Sequence, residues 1–140
     1  MIKYITRTFS HWQLKPLHQY FLLVIIIIFA TVLRFYKLGE WSFWWDEMFT
    51  LRDTNFPFDP NYFTHRVPVS FMLIHTLFHF IDINEWSARL VPAIIGIVTI
   101  PALYFPIRKI FGPPTALIAS LLLAITPWHI YWSQSARFYT

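Results

Sequence analysis

The chain has 140 residues, 56% of them hydrophobic and only 13% charged, against about 25% charged residues in an ordinary water-soluble domain. Its natural solvent is therefore lipid, and an aromatic share of 21% with seven Trp points to repeated crossings of the membrane–water interface, where rings with one wet end concentrate. The absence of cysteine excludes disulfides and thiolate metal sites, and no basic run is dense enough for nucleic acid.

The first element is Tyr20 to Leu33, fourteen uncharged residues extended by Leu17 and by Phe35 and Tyr36 toward the roughly 20 that a spanning helix needs. Arg34 and bulky aromatics follow it where a signal peptide would have a small-residue cleavage site, so it reads as an uncleaved first span over 20–36 after a cytoplasmic segment 1–19. A loop over 37–86 follows, and all seven acids of the chain lie between positions 40 and 85, giving that stretch a net charge of −5 against Arg52 and Arg66. Within it, Val67 to Ile81 is too short for an easy crossing. It places His75, Thr76, His79 and Asp82 on one arc of a helix, which suits a helix lying in the interface.

Two further uncharged runs of eighteen residues each, Leu90 to Ile107 and Thr115 to Trp132, predict spans over 87–107 and 115–132, joined by a basic turn over 108–114. Pro92, Pro101 and Pro106 predict a kinked second span packed against other helices. The segment 133–140 would open the next loop. The fold class is thus all-α and membrane-embedded, with about three transmembrane helices plus interfacial helices in a long first extracytoplasmic loop. Lys3, Arg7, Lys15, Arg108 and Lys109 place the N-terminus and the turn in the cytoplasm by the positive-inside rule.

Chemistry is densest at Trp41 to Thr50, where Asp46 and Glu47 stand side by side among indoles. Ser42 could cap a short helix whose first turn holds both acids. Solvated acids on a capped interfacial helix and a partly desolvated general base are both open readings of the pair. Arg89 and Arg137 stand at the same ends of the second and third spans as Asp46 does of the first. Either could snorkel to headgroups, but two converging guanidinium groups beside carboxylates suit a phosphorylated lipid. His75 and His79 lack an acidic third ligand at a fitting offset, so no histidine metal site is predicted.

The order Leu33-Arg34-Phe35-Tyr36-Lys37-Leu38, then Trp44-Trp45-Asp46-Glu47, then His65 to Pro68, Glu85 to Pro92 and Tyr131 to Tyr139 resembles the protein O-mannosyltransferase-like enzymes of the GT-C superfamily of membrane glycosyltransferases, which includes aminoarabinose transferases. The resemblance covers roughly residues 30–140. It implies a multi-pass enzyme of the plasma or inner membrane that takes sugar from a polyprenyl-phosphate donor to a hydroxyl acceptor on a protein, lipid or glycan. By the same resemblance Asp46 would be the catalytic base and Glu47 its neighbour in the acceptor environment, with room for a divalent cation beside the two. Arg89 or Arg137 would hold the donor phosphate, and Trp45, His65 and Tyr139 would touch substrate. Two departures stand out: Arg66-Val67-Pro68 where relatives often carry Pro-Pro after the loop histidine, and Ser135 where they often carry Glu. Such enzymes are several times longer, so the chain is expected to be the N-terminal portion of one, inactive by itself. The competing expectation is a non-catalytic membrane module that packs against a partner and binds anionic lipid; a transporter fragment is a third.

Overall fold

The computed structural model describes residues 15–56, 59, 61 and 68–137. It is all helical among those residues, with α1 Pro16–Phe35, α2 Trp45–Thr54, α3 Pro68–Phe78, α4 Glu85–Phe111, α5 Pro113–Ile125 and α6 Pro127–Ser133. Two helices, α1 and α4, are long and apolar enough to cross a membrane, and α5 with α6 makes a third crossing if the pair, bent by 60°, is one span. The chain is thus a membrane protein of two or three spans.

Local sequence accounts for the ends. Pro16 opens α1 at a position where its missing N–H is not needed. Lys37, with φ +58°, takes the left-handed conformation just past the helix that usually falls to glycine. Asn84 caps α4 by accepting from the Ser87 N–H at 2.9 Å, and Ser87 Oγ returns an acceptor to the Asn84 N–H. The polypeptide reverses between α4 and α5 at a single residue, Gly112, with φ +90°. Arg108 and Lys109, expected in the turn, belong to the last turn of α4 instead.

Small residues bring α1, α4 and α5 together. Ala30, Ala116 and Ala124 are fully buried and pack with Leu23, Ile26, Ile100, Tyr104 and Leu117. Side chains this small let helix backbones approach closely, which is how spans associate where lipid removes the hydrophobic incentive. At Gly96 an added Cβ would collide with Ser133 of α6. On the outside of α1, Leu17, Phe21, Val24, Ile28 and Val32 stay exposed, as lipid-facing residues should.

The prolines act differently in different helices. The helix α4 runs unbroken from Glu85 to Phe111 through Pro92, Pro101 and Pro106, and the break falls in the third span, where Thr126 leaves the helix and Pro127 starts α6. A proline at the first position of a new helix loses no bond, and that arrangement is indistinguishable in composition from one continuous apolar run.

Candidate functional site

The site lies at the end of the bundle where α1 stops, α4 starts and α6 stops. The helix α2 begins there, with Trp44 rather than Ser42 as its N-cap, and carries Asp46 and Glu47 in its first turn. The two neighbouring carboxylates have opposite fates. Glu47 is fully buried, and both of its oxygens are taken. Arg89 donates Nε to Oε1 at 2.9 Å and Nη2 to Oε2 at 2.7 Å, in the forked geometry natural to guanidinium and carboxylate. The Ala136 N–H donates to Oε1 at 2.8 Å, and the Trp44 N–H approaches Oε2 at 3.5 Å.

Arg89 is equally committed. Besides Glu47 it donates to the carbonyls of Leu38 and Trp41 at 3.1 and 2.8 Å and reaches that of Ser42 at 3.4 Å, with the Phe43 ring 5.7 Å from its guanidinium carbon. Five chain segments therefore converge on one ion pair: the 38–42 loop, Trp44, α2, α4 and the 136 turn. Arg89 and Glu47 thus form a buried clamp in which every donor nitrogen of the one and both oxygens of the other are engaged within the protein. Among the described residues no group of three or more His, Asp or Glu side chains is arranged to hold a metal.

Asp46, by contrast, leaves 46% of its side chain accessible. Its partner is Arg137, which donates Nη1 to the Asp46 carbonyl at 3.1 Å and places Nη2 3.3 Å from Oδ2. Trp45 is largely exposed and stacks on Phe49, with ring centres 5.9 Å apart. Of the expected set, the site thus gathers Asp46, Glu47, Arg89 and Arg137, and leaves Trp45 on the rim. His65 and Tyr139 lie outside the described residues. His75 lies in α3, which ends at Phe78, so His79 sits in the following turn, its ring edge-on to that of His75.

A cavity of about 680 Å³ opens beside the clamp, walled by Leu33, Tyr36, Trp41, Trp44, Ile130 and Tyr131, with Lys37, Gln134, Ser135, Glu47 and Arg89 also lining it. Its walls are mainly aromatic and aliphatic with a few polar and charged groups, the arrangement usual in ligand sites.

Four participants escaped the sequence reading. Gln134 donates to the carbonyls of Leu33, Arg34 and Tyr36 at 3.2, 3.2 and 2.9 Å, closing the C-terminus of α1. The Ala136 backbone N–H, as noted, reaches Glu47. Arg34 and His129 meet inside the bundle, with Nη2 2.8 Å from Nδ1. Only the last pair left a signal, a cation and a histidine in or beside segments otherwise apolar.

No curated protein and no solved structure gives a significant match to the chain. The family model for dolichyl-phosphate-mannose-protein mannosyltransferase matches residues 65–137, a range that runs from before α3 through Arg89 to Arg137 and exceeds half the chain. A family of membrane glycosyltransferases that work on lipid-linked sugar agrees with apolar crossings ending in a carboxylate–arginine cluster, and the chain belongs to it: the dolichyl-phosphate-mannose-protein mannosyltransferase family, of GT-C type.

Proposed function

We propose that this chain carries the donor-side site of a transferase that moves a sugar from a polyprenyl-phosphate carrier to a hydroxyl acceptor, with Asp46 as general base and Arg137 as the contact to the donor phosphate. The observation that carries the reading is the Asp46–Arg137 pair. A half-exposed carboxylate and a mostly covered guanidinium meet at 3.3 Å, a long and open contact beside an ion pair that is short and sealed. A lipid phosphate, with more charge and two oxygens to offer a fork, would draw Arg137 away from Oδ2 and leave that oxygen free for the acceptor.

The reaction is then a single displacement. The acceptor oxygen bonds to the anomeric carbon as Asp46 takes its proton, and the carbon–oxygen bond to phosphate breaks with its electron pair staying on the phosphate, where Arg137 offsets the growing charge. One displacement inverts the anomeric configuration. The apolar cavity suits the first prenyl units, so that binding of the non-reacting tail helps place the reacting end. We assign Glu47 and Arg89 a scaffold role. The N-terminus and the Gly112 reversal are assigned to the cytoplasmic side of the cell membrane and the site to the opposite side, because the acids cluster at the site end and Arg108 and Lys109 at the other.

The test uses the membrane-inserted enzyme with a polyprenyl-phosphate sugar. Asp46→Asn keeps shape and removes the base, and turnover is expected to fall by about 10²- to 10⁴-fold with donor affinity little changed. Arg137→Ala should weaken donor binding as well as rate, since a phosphate contact serves ground and transition states alike. Near-normal turnover of Asp46→Asn in correctly inserted protein would sink the assignment.

A further inference from the structure

A break in a membrane-crossing span strands backbone groups that lipid cannot satisfy. Pro127 has no N–H to return to α5, and the 60° bend turns α6 away from the last carbonyls of that helix. One of those carbonyls, Ala124 O, is met by Arg34 of α1, whose Nη1 lies 3.3 Å from it and 3.1 Å from its own helix at Ala30 O. The other arm of the fork, Nη2, reaches His129 Nδ1 on the far side of the bend at 2.8 Å. Arg34 therefore touches both halves of the broken span at once.

The contacts continue into α4. Because Nδ1 accepts from a guanidinium, which can only donate, the ring proton sits on Nε2. It points to Thr99 Oγ1 at 3.1 Å, and that hydroxyl donates to Gly96 O at 2.8 Å. One turn along α6, Ser133 fills the space that Gly96 leaves open. Four helices are thereby fixed to one point, and the stretch immediately after α6 is the one that supplies Gln134 to the end of α1, the Ala136 N–H to Glu47 and Arg137 to Asp46.

Arg34 is fully buried, its Nε has no partner, and no carboxylate bridges to it among the described residues. Burying an unpaired cation is expensive. An alkyl side chain would fill a span more cheaply, so its placement calls for a role that packing alone does not supply.

We propose that Arg34 and His129 form a lock across the broken third span, a positioning pair that fixes the direction of α6 and so delivers Arg137 to Asp46. The inference rests on the transfer-site reading above for its consequence, but the lock itself has an independent readout.

The sequence has no cysteine, so spin labels can be attached at Val32→Cys on α1 and Trp128→Cys on α6, both exposed positions, in the membrane-inserted protein. The parent should give one narrow distance distribution. Arg34→Gln, Arg34→Lys and His129→Leu should each shift or broaden it. Arg34→Lys is the sharpest of the three, because it keeps the charge but cannot serve Ala124 and His129 together. The same variants, without labels, should lose on the order of tenfold to a hundredfold in donor kcat/KM, as misplaced catalytic groups do. If Arg34 variants fail to insert, His129→Leu carries the measurement. An unchanged distance distribution overturns the lock, whatever happens to activity. A changed distribution with full activity overturns its positioning role. Full activity of Asp46→Asn beside a changed distribution in the lock variants would overturn the transfer-site reading and leave the lock standing.

Discussion

Two arginine–carboxylate pairs stand at the same end of the bundle, built from adjacent acids, and they are opposite in character. Glu47–Arg89 is short, forked and all but sealed, with 1% and 6% of the side chains accessible. Asp46–Arg137 is longer and half open. The difference comes from a helix: adjacent residues on α2 point about 100° apart, so one carboxylate turns into the bundle and its neighbour toward the rim. An acid pair in a sequence need not be a pair in function. Here the inward member is buried and bonded to Arg89 and the Ala136 N–H, and the outward member stays half open.

The largest effect expected from this contrast is on folding. Glu47→Gln leaves the volume unchanged but puts an amide N–H where Arg89 or the Ala136 N–H now donates, and it strands the Arg89 charge. Removing one partner of a buried pair costs about 3–5 kcal/mol, so the variant should show a marked fall in thermal midpoint in detergent and in the amount of inserted protein. The double change Glu47→Leu with Arg89→Met should recover part of that loss, because no orphaned charge remains. A Glu47→Gln protein as stable as the parent but without turnover would return Glu47 to the chemistry and erase the contrast.

Asp46→Asn should behave in the opposite way, with turnover lost and folding kept. With nearly half its side chain accessible, its bond to Arg137 resembles exposed ion pairs, worth up to about 1 kcal/mol. The same thermal measurement, made on both variants, sets the two acids side by side. A loss for Asp46→Asn as large as that for Glu47→Gln would mean that both pairs are scaffold.

How much of this was legible beforehand depends on range. The spans were readable because twenty apolar residues in a row have one solution in lipid, and Asp46 with Glu47 fell in the first turn of a helix as expected, although Trp44 and not Ser42 precedes it. Which carboxylate faces inward was not readable, because it depends on how α2 docks against Arg89, 42 residues away. Where a proline would end a helix was not readable either. Pro101 and Pro127 look alike in composition, yet one sits inside an unbroken α4 and the other begins α6. Arg34 itself looked like the basic flank of the first span, and only the packing of three helices puts it in the interior.

The smallest effect expected is at a third ion pair, Lys37–Glu40, which sharpens the comparison because its length is not what distinguishes it. Lys37 Nζ lies 2.9 Å from a Glu40 oxygen, as near as Arg89 Nε is to Glu47, but about half of each side chain is accessible. Water at that surface solvates both charges almost as well apart as together, and two long side chains lose freedom by pairing. Exposed pairs of this kind contribute roughly 0.2–1 kcal/mol. The contact also closes the turn that follows α1, where Lys37 holds its left-handed conformation, but the backbone bond from the Glu40 N–H to the Lys37 carbonyl at 3.2 Å closes the same turn without the carboxylate. Glu40→Gln should therefore leave the thermal midpoint almost unmoved, and higher salt should shrink the remaining difference further, since salt screens exposed charges far more than buried ones. Glu47→Gln should keep its full effect in the same titration. If the two variants responded alike to salt, burial would not be what separates the clamp from the surface pair, and the division of labour drawn between Glu47 and Asp46 would lose its physical basis.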